Sequence, residues 1–326
     1  MSGGNMACAL ETSKRCVVLA ERNNNPEILS AAQMQLAGAA RLSGDLVQAS
    51  VLFGELVKRT RSAPEGTAAE LLPFNLWVEA PADLALIRHV LGRPDEALKL
   101  SGEALWRARQ LKQPFTLAMA LGCSAALRYY RREPEMARAP AEALVALAEQ
   151  HGFGDWATAG RVFRGMVQRS LGDQAVAELE AEAALISSVL QMLVSATLAQ
   201  MYVDVGRTDR ALHTLDEALA RGERTGLLEV EAELHRLKGE AILIRDSQAS
   251  GEAETCYRKA IEIARGQSAK WWELRATLGL VRLLRDTNRR DEARTMLAGI
   301  YNWFTEGFDT GDLKEAKALL DELSTG

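Results

Sequence analysis

The chain has 326 residues, and its basic and acidic residues are interspersed, giving a formal net charge of −5. Hydrophobic residues make up 48% of it and aromatic residues only 6%, and the dominance of Ala, Leu, Glu and Arg is typical of helices. This charge argues against nucleic acid as a partner, because phosphate backbones require a net basic face. The four scattered cysteines suggest neither a zinc site nor a disulfide framework, so we expect a cytoplasmic protein without metal or cofactor.

Residues 1–25 contain one predicted helix, over 7–21. It resembles the second helix of a hairpin that lacks its first, so we expect the chain to begin with a half-unit. No basic segment precedes an apolar one, which excludes an ordinary secretory signal. Leu10, Val17, Val18 and Leu19 would leave this edge partly apolar and prone to self-association.

A repeated phrase dominates residues 26–305. "LGRPDEALKLSGEAL" at 91–105 returns as "VGRTDRALHTLDEAL" at 205–219, with eight of fifteen positions identical. Anchor residues equivalent to the first alanine of this phrase are Ala49, Ala97, Ala137, Ala177, Ala211, Ala253 and Ala293. Their spacings, 34 to 48 residues, are typical of helical solenoids. We therefore predict seven helical hairpins that stack through a small residue.

Glycines and prolines punctuate these hairpins. Gly44, Gly92, Gly172 and Gly206 each precede an anchor by five residues, where the chain must turn between two helices. The prolines predicted to begin helices are Pro26, Pro81, Pro94, Pro114 and Pro134. Pro140 falls inside a helix and should kink it. Residues 62–81 form the longest predicted connection.

Two later segments complete the prediction. Residues 183–203 carry no charge, yet their six Ser, Thr and Gln residues favour a buried hairpin with a turn near 187–188 over a membrane span. Of Trp271 and Trp272, we expect one in the core and one at its rim. Residues 306–326 should form a capping helix, with Leu313 and Leu323 on an apolar stripe and Asp312 on the polar face.

The chain resembles a known family in three quoted stretches: "EAELHRLKGEAIL" at 231–243, "AETCYRKAIEIA" at 253–264 and "YNWFTEGFDTGDLKEAKALLDEL" at 301–323. They are similar to the tetratricopeptide-like C-terminal region of bacterial signal-transduction ATPases and class III adenylate cyclase multidomain regulators. The resemblance implies a regulatory or partner-binding repeat region, with an ATPase or cyclase module as a possible partner. The chain has no GxxxxGK[ST] loop and nothing like a cyclase, so the family's enzymatic activities do not carry over.

One position recurs eight residues before the anchors. Its occupants are Arg41, His89, Tyr129, Arg169, Val203, Arg245 and Arg285. All but Val203 are our candidate ligand-binding residues, because in tetratricopeptide-like stacking this position tends to face the concave groove. Such a ladder of cations would suit an acidic, extended partner. The competing interpretation is that these cations only complement the dipole at the end of each helix.

The sequence thus predicts an all-α, right-handed solenoid of tetratricopeptide-like hairpins. Its function is predicted to be non-catalytic: a regulatory scaffold in bacterial signalling or transcriptional control, whose groove binds a peptide, a protein segment or a small effector. Two alternatives stay open. One is an enzyme whose groove site is dispersed along the sequence, which convergent carboxylates would favour. The other is an RNA-binding helical repeat, which the net charge disfavours.

Overall fold

The computed structural model describes residues 6–62, 75–167, 172–183 and 190–325. Within these residues the chain forms helices and no strand, which confirms the all-α prediction. The helices are α1 (Met6–Arg22), α2 (Pro26–Leu42), α3 (Leu46–Ser62), α4 (Leu76–Val90), α5 (Pro94–Leu111), α6 (Pro114–Tyr130), α7 (Pro134–His151), α8 (Gly154–Val167), α9 (Asp173–Ala183), α10 (Leu190–Asp204), α11 (Thr208–Thr225), α12 (Glu231–Arg245), α13 (Ser250–Gly266), α14 (Lys270–Asp286), α15 (Arg290–Tyr301) and α16 (Gly311–Ser324).

Consecutive helices from α2 to α15 pair as antiparallel neighbours, each pair joined by a short turn. Six of the seven predicted anchor alanines are at most 2% exposed, since each lies where the two helices of a pair meet. The predicted turn glycines Gly44, Gly92, Gly172 and Gly206 all have positive φ, between 58° and 88°. Arg132 and Asn288 adopt the same left-handed conformation at the equivalent turns, with φ of 58° and 60°. The turn, rather than glycine itself, is therefore the repeating feature.

The anchor of the fourth pair was misplaced by one residue. In the other second helices the anchor is the fourth helical residue, and in α9 that residue is Val176, which is fully buried. Ala177 is exposed. The sequence favoured Ala177 because it matched alanine at the other anchors, whereas the packing position in this pair holds a larger aliphatic side chain.

Four of the five predicted proline starts are confirmed, because Pro26, Pro94, Pro114 and Pro134 are the first residues of their helices. Pro81 is the exception. It lies inside α4, which begins at Leu76 after Asn75, whose side chain accepts the Trp77 N–H at 3.1 Å. This cap starts the helix five residues earlier than Pro81. The predicted 62–81 connection is thus shorter, and its residues 63–74 lie outside the described residues.

The segment predicted as a buried hairpin contains the end of α9 and all of α10, but its predicted turn at 187–188 lies outside the described residues. Among the helices that are described, none is both long and apolar enough to cross a membrane. The prediction for the tryptophan pair was wrong, since Trp271 and Trp272 are 0% and 2% exposed. Both lie on the first helix of a hairpin that packs against two other parts of the molecule.

The first helices of successive hairpins pack side by side along the inner face, and the curvature brings α14 back into contact with α4. The His89 ring on α4 lies 4.3 Å from the Trp271 ring on α14, centroid to centroid. Near the same seam, the Leu228 N–H donates to the Leu42 carbonyl at 2.8 Å. The solenoid therefore closes upon itself and encloses the space along its inner face.

Candidate functional site

The enclosed space contains a cavity of about 360 Å³. Its walls come from the first helices α2, α4, α6, α8 and α10, and from residues 227–230, which join α11 to α12. The second helices contribute no lining residue among those described. The cavity therefore lies on the inner face of the solenoid, which is where the sequence predicts a binding groove.

A polar cluster occupies one side of this cavity. Arg41 at the end of α2 donates to Asp83 of α4 through Nη1 at 2.7 Å, and its Nε lies 3.7 Å from Glu229 Oε1. Glu79 lies one turn before Asp83 on α4 and also lines the cavity. Three carboxylates thus converge on a single guanidinium.

Burial sets the charge state of these groups. Burial, reinforced by the charge of Asp83, raises the pKa of Glu79 to about 8. Burial also raises the pKa values of Asp83 and Glu229, although Arg41 opposes that effect. Burial disfavours the charge on Arg41, yet Glu229 and Asp83 outweigh it and raise its pKa. At neutral pH Glu79 is therefore protonated, while Arg41 is charged.

The rest of the wall is apolar and rich in aromatic and thioether side chains. Phe115, Trp156 and Phe163 face it together with Met119 and Met192. The rings of Phe115 and Trp156 meet edge to face with their centroids 6.2 Å apart. Such a surface adapts to the shape of an apolar ligand, because thioethers are flexible and polarizable.

Cys123 is the thiol that faces the cavity in the described part of the chain. Burial raises its pKa, and the carboxylates nearby raise it further. Its Sγ lies 3.9 Å from Met119 Sδ, as a weak donor. Because the thiolate is the nucleophilic form of cysteine, this thiol is suited to packing rather than to covalent chemistry.

A second cavity of about 20 Å³ continues from the first and shares Tyr130, Leu193 and Val230 with it. Tyr129 and Thr197 line it on one side and Arg275 on the other. Arg275 is held in place because it donates to the Tyr130 carbonyl at 2.6 Å and to Asp312 at 3.0 Å. The two cavities follow the inner face over neighbouring hairpins.

Of the predicted site residues that the structure describes, two lie at this space. Arg41 lines the large cavity and Tyr129 the small one. His89 is fully buried between α4 and α14, where burial and then the charge of Arg275 lower its pKa to about 3. A buried, neutral imidazole cannot serve as a groove cation.

The remaining arginines do not extend this ladder. Arg245 lies 3.9 Å from Asp209, and Arg285 contacts Asp286 at 2.8 Å and Glu322 at 3.2 Å. Arg169 lies outside the described residues. Arg245 and Arg285 thus join neighbouring helices through ion pairs. Because the solenoid closes, the positions eight residues before the anchors do not line up as they would in an open spiral.

The sequence analysis missed the carboxylates of the cavity. Glu79 and Asp83 stand four residues apart on α4, a helix in which twelve of fifteen residues are buried. Two acidic residues on one face of so apolar a helix were the available signal. Glu229, in contrast, reaches the cluster only through closure of the superhelix. Within the described residues, no group of three or more His, Cys, Asp or Glu side chains is arranged to hold a metal ion.

No protein-family model matches the chain, and no curated protein is similar to it in sequence. Solved structures share its fold. A Rap protein complexed with competence and sporulation factor has 12% identity and a TM-score of 0.55, over 90% of this chain and 87% of that one. NprR in complex with its cognate peptide NprX has 12% identity and a TM-score of 0.53, over 90% and 82%.

A signal transduction ATPase with numerous domains and a tetratricopeptide repeat sensor, from Pyrococcus horikoshii, matches 97% of this chain at 12% identity and a TM-score of 0.48. The match covers 49% of that protein, so this chain spans about half its length. At these identities the likeness extends to the fold alone. The chain is a helical-repeat solenoid of the tetratricopeptide-like type.

Proposed function

We propose that the protein is a non-catalytic binding scaffold that takes a peptide, a protein segment or a small effector into the cavity of its inner face. The observation that carries this proposal is the cavity itself. Its volume of about 360 Å³ and its mostly apolar wall with a few convergent polar groups are those of a ligand site. Ligand binding there would contact five first helices, α2, α4, α6, α8 and α10, and a shift in their packing gives a route to regulation.

The setting we propose is bacterial signalling or transcriptional control, with an ATPase or cyclase module as a possible output partner. The similar Rap and NprR structures were solved with competence and sporulation factor and with the peptide NprX, which supports a regulatory ligand. An acidic, extended partner fits less well than the sequence suggested. Arg41, the predicted arginine that lines the cavity among those described, is already paired with Asp83.

An enzyme is the second candidate, because convergent carboxylates and the raised pKa of Glu79 are features of catalytic sites. General acid–base chemistry also needs a second group that acts on the substrate. Asp83, one turn from Glu79, is held by Arg41, and the Cys123 thiol is protonated. Mass spectrometry separates the two functions: a ligand recovered unchanged after prolonged incubation supports the scaffold, and a converted ligand supports the enzyme.

Filling the cavity tests the proposed function directly. Ala126 lines the cavity on α6, so Ala126→Phe places a ring in the space that a ligand would occupy. N-phenyl-1-naphthylamine is a suitable neutral probe because it fluoresces in apolar sites. We expect saturable binding of one probe per wild-type chain and at least tenfold weaker binding to the filled variant.

Ala139→Phe is the matched control, since Ala139 is exposed on α7, a helix that contributes no lining residue to the cavity. This variant should bind the probe like the wild type. If the wild type shows no saturable binding, or if both variants bind equally well, the cavity is not a ligand site.

A further inference from the structure

We infer that the ligand of the cavity is an organic cation, an amine or guanidinium group on an apolar body. This inference rests on the proposed function and adds the chemical class of the ligand. The sequence analysis predicted an acidic ligand from its recurring arginines, whereas this inference assigns a basic one. The charges, the unpartnered Glu79 oxygen and the aromatic wall support it.

The charges of the cavity do not balance. Glu79, Asp83 and Glu229 face one guanidinium, that of Arg41. Even with Glu79 protonated, two carboxylates share a single positive charge. Asp155, exposed where the cavity opens at α8, adds another negative charge. Opposite charges attract strongly where water is scarce, so a cation gains most from entering this space.

One acceptor at the cavity also lacks a partner in the described residues. Glu79 Oε2 is buried without a hydrogen bond. Arg41 Nε also lacks one, but it is a donor and lies 3.7 Å from Glu229 Oε1. Buried polar groups in folded proteins are normally paired. An ammonium or guanidinium group supplies the donors that the Glu79 carboxylate lacks.

The opposite wall fits the apolar body of such a ligand. Phe115, Trp156 and Phe163 present aromatic surface, and the faces of such rings attract organic cations as well as apolar groups. A bare metal ion would leave this wall unused. The cavity is therefore suited to one molecule that combines a cationic head with a ring or alkyl chain.

Three matched probes test the charge of the head: 4-phenylbutylamine, 4-phenylbutanol and 4-phenylbutyrate. They share one apolar body and differ in charge. Each would displace N-phenyl-1-naphthylamine from the full-length protein at pH 8. We expect the amine to bind at least tenfold more tightly than the alcohol, and the carboxylate to bind most weakly.

Two variants assign the preference to named side chains. Glu79→Gln and Glu229→Gln keep the shape of the side chain and remove its charge, so each should reduce the ratio of amine to alcohol affinity at least threefold. Glu135→Gln is the control, because Glu135 is 78% exposed on the outer helix α7. Equal affinity for all three probes, or tighter binding of the carboxylate, overturns the inference even if a variant fails to fold.

The pH dependence supplies a second measurement. Glu79 is faced by Asp83 on its own helix, by Arg41 of α2, by Glu229 and by Cys123 of α6. A bound cation favours the ionised Glu79 carboxylate, so amine binding should release a proton. The affinity for the amine should therefore rise as the pH is raised from 6 to 9, a range in which alkyl amines stay protonated. Calorimetry in buffers of different ionisation enthalpy measures this release, and its absence would contradict the role of Glu79.

The cationic head could belong to a free amine or to a basic side chain of a peptide. N-acetyl-Phe-Lys-amide and its neutral analogue N-acetyl-Phe-norleucine-amide distinguish these sources. Preference for the lysine peptide over its analogue assigns the site to a basic side chain, whereas tight binding of phenylbutylamine alone assigns it to a free amine. If the dye binds but no cation is preferred, the inference fails while the proposed function stands; if the dye does not bind, the proposed function fails first.

Discussion

His89 illustrates how closure of the molecule changes the chemistry of a single residue. Its ring is 0% exposed and lies against Trp271. Burial and the charges of Arg275 and Arg131 lower its pKa to about 3, with Asp312 opposing them. The folded state therefore holds this imidazole neutral under conditions in which the unfolded chain protonates it.

This difference predicts a loss of stability in acid. Between pH 6.5 and pH 3 the unfolded state binds the proton and the folded state does not, so the free energy of unfolding falls with pH by at most about 1.4 kcal/mol per unit. The wild type is expected to lose unfolding free energy between pH 7.5 and pH 5. We expect His89→Leu to make that loss smaller by up to about 2 kcal/mol. Urea unfolding at the two pH values measures it.

His213 provides the control, because its side chain is 75% exposed. His213→Gln should leave the acid sensitivity as it is in the wild type. The prediction for His89 is wrong if His89→Leu and His213→Gln lose stability in acid to the same extent.

At the site, the sequence could predict single positions but not their assembly. Arg41 was found because it keeps a fixed distance from its anchor, and that distance is a local property of one hairpin. The contact of Arg41 with Glu229 joins α2 to residues that precede α12. No local pattern encodes the distance between Arg41 and Glu229, because that distance depends on the sum of the rotations between successive hairpins.

Asp312 at the start of α16 shows the same effect for an element. The sequence placed it on the polar stripe of an amphipathic helix, yet it is 1% exposed. Its carboxylate accepts hydrogen bonds from Trp271 Nε1 at 2.9 Å, Arg275 Nε at 3.0 Å and Arg132 Nη1 at 3.0 Å. Arg275 and Arg132 keep the pKa of Asp312 below its usual value although burial opposes them. The helix is thus attached to α14 and to the turn after α6.

We expect Asp312→Ala to destabilise the protein by about 3–5 kcal/mol, because it removes the acceptor of the buried Arg275 guanidinium and of the Trp271 indole N–H. Thermal or urea unfolding measures the loss. Asp309→Ala is the matched control, since Asp309 is 72% exposed and lies 3.7 Å from Arg131. It should cost less than about 1 kcal/mol, and equal losses would contradict the role assigned to Asp312.

The helices themselves were predictable because their signals are local. A buried fourth residue recurs in the second helix of every hairpin, a left-handed turn in most of them and a first-position proline in the first three. Each of these signals can be read within a few residues. Pro81 and Ala177 were misplaced for the same reason. The Asn75 cap and the buried Val176 replaced the usual signal, so the general pattern selected a neighbouring residue.

At the scale of the molecule, the N-terminal edge remains a predicted surface for self-association. Val18 and Leu19 on α1 are 47% and 57% exposed, whereas Leu10 and Val17 are partly covered. We expect Val18→Glu with Leu19→Glu to shift the protein towards monomer, because charges oppose burial of this edge. Light scattering over a range of concentrations measures the shift. Ile244→Glu, at another exposed position (53%), should have no effect; a wild type that is monomeric at high concentration contradicts the prediction.

The closed form is maintained by residues 303–312, which run from the α15–α16 connection into the first two residues of α16 and which we name the clasp. Glu306 Oε1 accepts the Asp95 N–H at 3.0 Å at the start of α5, where the helix dipole favours an anion. The Trp303 ring lies between the cations of Arg93 and Lys270, 5.8 and 5.6 Å from its centroid. The clasp thereby joins the second hairpin to the last one. Since α4 lines the large cavity and α14 the small one, its contacts also connect the walls of the two cavities.

Gly307 is the position at which the clasp can be opened. Its φ is 78°, and a Cβ there would lie 2.1 Å from Pro94 Cγ. Gly307→Ala therefore combines a left-handed backbone cost of about 1–2 kcal/mol with a clash that the rigid proline ring cannot relieve, so the clasp must leave α5. We expect a larger radius of gyration by small-angle X-ray scattering, faster proteolysis within 303–312 and weaker probe binding in the cavity. Gly299→Ala is the control, because a Cβ there meets no atom within 4 Å on α15. If Gly307→Ala loses stability while its radius and probe affinity stay those of the wild type, the clasp stabilises the protein without controlling the cavity.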